Sequence, residues 1–205
     1  MQTLNRLKSE RPRRRYDFYE TPPELVNASI EHWRRDEMIH YPYNYLDPGC
    51  GNGIWGNVIH YHFPNSNIFG IDINLPSSME YGIAYNLVYD EDYLEFDFDG
   101  FELIAGNPPY SLAEEFVRKS FDLIADGGYI FFLLRLAFLE SKKRHFGLFS
   151  EYPPKRVYVL SRRPSFFSSN GKTKTTDALS YAMFLWQRGW KGKTELDWLY
   201  WEYEK

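Results

Sequence analysis

One segment constrains the fold of this chain more than any other. A strand is predicted at Tyr41–Leu46, and it leads into the glycine-rich string Asp47-Pro48-Gly49-Cys50-Gly51-Asn52-Gly53. A helix is predicted at Ile54–Tyr61, and a buried strand at Asn67–Ile71, ending in Asp72. Strand, glycine loop, helix and strand together make a βαβ unit, whose two strands have to be parallel.

The rest of the chain continues to alternate strands with helices. Further strands are predicted at Leu87–Tyr89, Phe101–Ala105, Tyr129–Leu134, Arg156–Leu160 and Tyr181–Trp186, with an edge strand within Glu195–Tyr203. Further helices are predicted at Pro22–Arg34, Ser78–Tyr85, Leu112–Ala125 and Leu139–Ser150, and a basic loop at Ser161–Asp177. Thr21 is the expected N-cap of the first helix, because Glu24 completes a capping box. The pattern predicts an α/β fold with a doubly wound, mostly parallel sheet and an antiparallel edge strand.

Composition limits the class of protein. A length of 205 residues with 43% hydrophobic residues suits one domain, which we expect at 16–205 after a basic arm at 1–15. The single cysteine favours a reducing compartment, and the five scattered histidines predict no metal site. No apolar run reaches the length of a membrane span and no signal peptide is recognisable, so we expect a cytoplasmic protein without a membrane partner.

The charge distribution indicates a polyanionic partner despite a net charge of −4. Residues 6–15 carry six basic side chains against one acid, and residues 142–174 carry nine against one. The acids are concentrated in residues 80–102, which hold eight and no Lys or Arg. Two basic segments beside an acidic one can form a nucleic-acid surface, although a solvated basic face would give either run alone.

The tetrapeptide Asn107-Pro108-Pro109-Tyr110 follows the predicted strand Phe101–Ala105. Each proline fixes its own φ, lacks an N–H and restricts the residue before it. We therefore expect a stiff segment that presents acceptors, namely the Asn107 side-chain oxygen and main-chain carbonyls, beside the aromatic ring of Tyr110. On its own the tetrapeptide would also suit an ordinary connection from strand to helix.

The glycine loop is compatible with either of two classes of ligand. Gly51-Asn52-Gly53-Ile54-Trp55-Gly56 fits the dinucleotide fingerprint, with Asp72 at the expected distance for a ribose. The carboxylate of Asp47 before it suits an ammonium and a sulfonium better than a pyrophosphate. The longer string resembles the first motif of the Rossmann-like S-adenosylmethionine-dependent methyltransferases, which implies S-adenosylmethionine as cofactor.

This resemblance implies further cofactor-binding residues. Asp72, with Ile73, matches the position that binds the ribose, and Asp92, with Tyr93, matches the loop that contacts the cofactor adenine. Tyr19-Glu20-Thr21-Pro22 resembles the N-terminal motif that closes over the methionine end. The cofactor set implied is Tyr19, Thr21, Asp47, Gly49, Cys50, Gly51, Asp72, Ile73, Asp92, Tyr93 and Asn107.

Asn107-Pro108-Pro109-Tyr110 resembles the catalytic motif of methyltransferases that act on exocyclic amino groups, and over about residues 16–190 the chain is most similar to small, phage-type adenine N6 methyltransferases. The resemblance implies that Asn107, Pro108, Pro109 and Tyr110 are catalytic, and that the adenine is flipped out of its duplex. Arg163-Pro164-Ser165-Phe166-Phe167 resembles a later motif. It implies stacking on Phe166 opposite Tyr110. The loop lies in the basic stretch, where we expect Arg162, Arg163, Lys172 and Lys174 to hold phosphates.

Four functions remain open at this stage. DNA is favoured over RNA as the substrate of an adenine N6 methyltransferase. A protein glutamine methyltransferase is a third reading, weakened by the lack of an extra N-terminal helical domain. A nucleic-acid-binding module without catalysis is the fourth, and the intact tetrapeptide speaks against it. No segment suits a separate recognition domain, so the target sequence and the oligomeric state stay open.

Overall fold

The computed structural model describes residues 20–37, 42–75, 84–167, 174–176 and 178–203. The basic arm at 1–15, Tyr19, Lys172 and most of the helix predicted near Ser78–Tyr85 lie outside these residues. The described residues contain the strands β1 (Asn44–Pro48), β2 (Asn67–Ile71), β3 (Leu87–Tyr89), β4 (Phe101–Gly106), β5 (Ile124–Arg135), β6 (Arg156–Leu160), β7 (Ser165–Phe167), β8 (Lys174–Thr176), β9 (Tyr181–Gln187) and β10 (Glu195–Leu199).

Eight of these strands form one sheet in the order β10-β6-β9-β5-β4-β1-β2-β3. Neighbouring strands are parallel except around β9, which runs antiparallel to both β5 and β6. The expected mostly parallel α/β sheet is confirmed, and its antiparallel strand lies third from one edge. The edge strand β10 runs parallel to β6. Strand order reverses between β1 and β4, which makes a topological switch point where their carboxyl ends meet.

Helices cover both faces of the sheet. They are α1 (Pro23–Glu37), α2 (Ile54–His62), α3 (Ala113–Leu123), α4 (Lys142–Phe146) and α5 (Leu148–Glu151). Side chains of β5 alternate between the faces, because successive residues of a strand point to opposite sides. Phe132 packs in the cluster that includes α3, and Phe131 packs in the cluster that includes α1 and α2.

Most predicted elements are confirmed, and four details differ. α1 begins at Pro23 rather than Pro22, and the Pro22 carbonyl, not the Thr21 side chain, accepts hydrogen bonds from the first turn. The segment Asp126-Gly127-Gly128 does not close α3. It lies within β5, where Phe101 pairs with Ile124 and the register then shifts, and Gly127 takes a φ of 76°.

The other two differences overlap the basic segment at residues 142–174. The helix predicted at Leu139–Ser150 is split into α4 and α5, because the Ser141 hydroxyl caps α4 and Gly147 interrupts it. The loop predicted at Ser161–Asp177 contains β7 and β8, which pair with each other in antiparallel fashion. Within the described ranges, no helix has the length and apolar character that crossing a membrane requires.

The packing of the central strand leads to a stability prediction. Phe132 is fully buried and pairs with both Gly106 and Phe184. Phe132→Ala should lower the free energy of unfolding by about 3–5 kcal/mol, because it removes the ring and leaves a cavity. The control is Trp198→Ala, at a side chain that is 63% exposed, with an expected change within about 0.5 kcal/mol. Denaturant titration measures both values, and equal losses would contradict this description of the core.

Candidate active site

The crevice at the switch point is formed by the ends of β1 and β4. These strands pair through Tyr45 with Leu103 and Leu46 with Ile104, a register that brings Asp47 beside Ala105, one residue before Gly106. A Cβ added to Gly106 would lie 3.1 Å from Asp47 Oδ1, which is tighter than an ordinary contact. Glycine at this position therefore lets the glycine loop and the Asn107–Tyr110 tetrapeptide adjoin.

The glycine loop is held by backbone hydrogen bonds to the next strand. Gly49, Gly51 and Gly53 have φ values of 77°, 48° and 74°, a region that favours glycine. The amides of Gly49 and Cys50 donate to the Ile71 carbonyl at 2.7 and 3.0 Å. Cys50 is buried, and its sulfur faces Gly70. The side chain of Cys50 therefore packs beneath the loop, and only the main chain of this residue could contact a cofactor.

Asp47 is completely buried and is held by a residue that the sequence analysis did not identify. Its Oδ2 accepts a hydrogen bond from the Tyr85 hydroxyl at 2.5 Å. That hydroxyl also accepts from the Gly56 amide at 3.0 Å. Asp47 Oδ1 is buried and accepts no hydrogen bond from any described residue. Burial raises the pKa of Asp47 to about 7, against the opposing effect of the Tyr85 hydrogen bond.

Two glycines make room for the Tyr85 ring. A Cβ on Gly56 would lie 2.1 Å from a ring atom, and one on Gly70 would lie 2.9 Å from another. Gly56 is the last glycine of the dinucleotide-like pattern, so its role here is packing beneath the loop. No local pattern marks Tyr85, because it lies 38 residues from Asp47 in sequence.

Asp72 ends β2 and faces the loop. Its Oδ2 accepts from the Gly51 amide at 2.9 Å, and its Oδ1 accepts from the Asn74 amide at 2.7 Å. Burial raises the pKa of Asp72, opposed by these two hydrogen bonds. Each carboxylate oxygen has a second lone pair, so ribose hydroxyls can still bind. Ile73 is 39% exposed beside it and offers an apolar surface.

The other predicted cofactor residues include Thr21 and Asp92, which lie in two separate segments. Thr21 is buried and accepts from the Trp55 indole at 3.4 Å, and Glu20 accepts from Asn52 at 2.8 Å, so this segment lies against the glycine loop. Asp92 caps a short 3₁₀ helix through the Leu94 amide.

The structure corrects the predicted role of the Tyr93 side chain. It is only 2% exposed, and its hydroxyl bonds with Ser120 at 2.7 Å. The ring also packs against Phe116, with centroids 4.7 Å apart. These contacts place the ring in the hydrophobic core, so a cofactor could meet only the main chain of Tyr93.

The Asn107–Tyr110 tetrapeptide follows β4 directly, as predicted. The Pro109 carbonyl is used by the Leu112 amide at 2.9 Å, whereas the Pro108 carbonyl accepts no hydrogen bond from the described part of the chain. The Tyr110 ring is 5.5 Å from Tyr181, and the Arg135 guanidinium lies over it at 4.9 Å. Burial raises the pKa of Tyr110 well above its usual value, opposed by the nearby Asn107 side chain and Arg135 charge.

The later motif requires a further correction. Phe166 is 1% exposed and packs edge-on against Tyr181 at 5.2 Å, so it is part of the core and offers no open stacking face. Arg162 and Arg163 are exposed. The Arg162 guanidinium lies 4.8 Å from the Tyr203 ring, and its carbonyl accepts from Trp201 at 3.0 Å. These contacts anchor the loop to the C-terminal segment, a link that no local pattern indicated.

The buried carboxyl leads to a pH prediction. In the folded protein Asp47 keeps its proton up to about pH 7, whereas in the unfolded chain it loses it near pH 3.9 (about the usual value). The unfolded state thus binds fewer protons between these values, and stability falls as the pH rises. In the absence of ligand, the free energy of unfolding of Asp47→Asn should rise relative to that of wild type by about 2 kcal/mol as the pH increases from about 5.5 to 7.5. Urea denaturation at both values tests this, and a constant difference would contradict it.

Comparison with known proteins identifies the fold of this chain. The sequence matches no family model and no curated protein. A Listeria monocytogenes protein, inferred to be a class I S-adenosylmethionine-dependent methyltransferase, is similar with a TM-score of 0.66 and 12% identity, over 87% of this chain and 65% of that one. This chain therefore spans just under two thirds of that protein.

Two further structures have the same fold. A Pyrococcus horikoshii protein, inferred to be an RNA methyltransferase, has a TM-score of 0.66 and 11% identity, over 87% of this chain and 90% of that one. The plantazolicin methyltransferase BpumL, crystallised with S-adenosylhomocysteine (SAH), has a TM-score of 0.54 and 14% identity, over 82% and 86%. The chain shares the Rossmann-like fold of these class I methyltransferase structures.

Proposed function

We propose that this protein transfers a methyl group from S-adenosylmethionine to the N6 amino group of adenine in DNA. One observation carries the proposal. The buried carboxyl of Asp47 and the Asn107–Tyr110 tetrapeptide adjoin at the switch point of the sheet, with Gly106 between them. This arrangement supports a crevice that holds a donor and an acceptor side by side, and such positioning accounts for much of the rate of a displacement reaction.

The residues of the crevice fit the proposed cofactor. Asp47 Oδ1, buried and without a hydrogen bond from the described residues, suits an ammonium group, whose charge would lower the pKa of the carboxyl. Asp72 suits the ribose hydroxyls, and Ile73 and Asp92 suit the adenine. S-adenosylmethionine supplies an electrophilic methyl group on a sulfonium centre. The SAH bound to BpumL supports this cofactor.

The tetrapeptide suits an amino group that needs acceptors. The lone pair of an adenine amino nitrogen is delocalised into the ring, and acceptors on both of its N–H groups favour a more nucleophilic geometry. The Asn107 side-chain oxygen and the Pro108 carbonyl are the two acceptors in this proposal. The Pro108 carbonyl accepts no hydrogen bond from the described part of the chain, whereas the neighbouring Pro109 carbonyl already accepts from Leu112. Preorganised dipoles of this kind act without reorganisation during the reaction.

Tyr110 is proposed as the aromatic surface for the base. Burial raises the pKa of its hydroxyl, so the residue stays neutral and its ring keeps its affinity for a stacked base, worth about 1–3 kcal/mol. Flipping the base from a duplex costs a few kcal/mol, roughly the same amount. The exposed Arg162 and Arg163, after β6 at the same edge of the sheet, are the proposed phosphate contacts.

RNA is the second candidate substrate. The similar Pyrococcus horikoshii structure, inferred to be an RNA methyltransferase, favours it, and the chemistry at the amino group would be identical. We rank DNA first because the tetrapeptide and its order after the glycine loop resemble the DNA enzymes. Methylation of a glutamine side chain and binding without catalysis are the weaker alternatives, and the next experiment separates all four.

The substrate is tested by methyl transfer. Purified protein is incubated with labelled S-adenosylmethionine and, separately, duplex DNA, single-stranded DNA, RNA and protein, followed by nucleoside analysis. We expect label in DNA as N6-methyladenine, because the tetrapeptide suits an exocyclic amino group. Label confined to RNA would support the second candidate. Label confined to protein, or no transfer to any acceptor, would contradict a nucleic-acid methyltransferase.

The role of Asn107 gives a sharper prediction. Asn107→Ala should lower the rate of methyl transfer by about a hundredfold or more, because it removes a preorganised acceptor, while cofactor affinity stays within a few-fold. The matched control is Asn65→Ala, an exposed residue between α2 and β2 at the opposite edge of the sheet, which should keep full activity. Near-normal transfer by Asn107→Ala would refute the assigned role.

A further inference from the structure

A single arginine lies over the aromatic ring of the tetrapeptide. Arg135 is the last residue of β5 and follows the fully apolar, buried run 130–134. Its guanidinium carbon is 4.9 Å from the centre of the Tyr110 ring. Arg135 is only partly buried and lies at the carboxyl edge where this fold binds ligands. A desolvated charge there is costly unless it is paired and hydrogen-bonded.

The hydrogen-bonding capacity of Arg135 is not used within the described part of the chain. Its Nε is buried without an acceptor, and it forms no ion pair with a described carboxylate. Other basic side chains near the sheet are engaged: Arg118, Lys155 and Arg156 form ion pairs, and Arg144 and Arg188 donate to main-chain carbonyls. Arg135 therefore differs from them in having donors to offer a ligand.

Its contact with Tyr110 leaves those donors available. A guanidinium attracted to an aromatic face uses its own π surface or edge, and its five N–H groups lie in one plane as a fork. This fork matches a phosphate or carboxylate, and charge-assisted hydrogen bonds to such an anion are about twice as strong as neutral ones. A buried N–H without an acceptor gains further when the anion arrives.

We propose that Arg135 binds a backbone phosphate of the target strand, beside the nucleotide whose base stacks on Tyr110. The inference rests on the proposed nucleic-acid substrate and adds a substrate-binding residue to it. One side chain then contacts both the stacking ring and the phosphodiester, so that capture of the backbone orients the ring that receives the base. Arg162 and Arg163 lie further along the same edge of the sheet, two strands away from β5.

The test measures how salt affects binding. Affinity for a fluorescent adenine-containing DNA duplex is measured with SAH present, from about 50 to 200 mM salt. Arg135→Gln should bind about tenfold more weakly at the low-salt end, as expected for a lost charged hydrogen bond. The slope of log affinity against log salt should become less steep by about 0.9, the value for one phosphate contact.

Two variants serve as controls. In Arg34→Gln the lost guanidinium also lies 4.9 Å from an aromatic ring, that of Phe63, at the opposite edge of the sheet, and the same charge is removed. Its slope should equal that of wild type. Arg135→Lys keeps the charge without the fork, so it should keep the wild-type slope with intermediate affinity, even if Arg135→Gln folds poorly.

The outcomes separate this inference from the proposed function. An Arg135→Gln protein that loses methyl transfer but keeps the wild-type slope would show that Arg135 only positions Tyr110, which overturns the phosphate contact. The phosphate contact would also be overturned if the salt slope of Arg135→Lys were less steep than that of wild type by about 0.9, the value for one contact. A wild-type protein that neither binds nor methylates nucleic acid would overturn the proposed function, and the inference with it.

Discussion

The site depends on one buried carboxyl group. Asp47 has no exposed surface at the end of β1, where an unpaired charge is strongly disfavoured. Tyr85 compensates in part, by donating to Asp47 while accepting from the Gly56 amide. The glycine loop, the helix that follows it and the buried acid are thereby joined through one hydroxyl group. The remaining oxygen, Oδ1, lies 3.1 Å from the position that a Cβ on Gly106 would take.

This arrangement explains why two motifs about sixty residues apart form one site. Parallel pairing of β1 with β4 brings their carboxyl ends together, and the small size of Gly106 allows close contact. Asn107 follows Gly106 directly in the chain. The proposed reaction needs little more from the protein than this fixed geometry, since the methyl donor carries the leaving group and the acceptors are dipoles already in position.

Local patterns predicted the elements and the main motifs, because periodicity, glycine strings and prolines act within a few residues. β2 and β6 have the predicted bounds, and Asp72 lies where the βαβ unit required. Tyr85 and Arg135 were missed because their contacts with Asp47 and Tyr110 are formed only by the tertiary fold. Phe166 was misjudged for the same reason: an aromatic residue in a basic loop looks exposed until Tyr181 is seen to cover it.

We propose that the crevice holds a sulfonium cofactor rather than a dinucleotide. Calorimetric titration of S-adenosylmethionine and of NAD into the wild-type protein and Asp72→Ala tests it most directly. We expect one molecule of S-adenosylmethionine bound per chain, no binding of NAD, and an affinity at least about tenfold weaker in Asp72→Ala, because two charged hydrogen bonds are lost. Binding of NAD in place of S-adenosylmethionine, or unchanged affinity in Asp72→Ala, would contradict it.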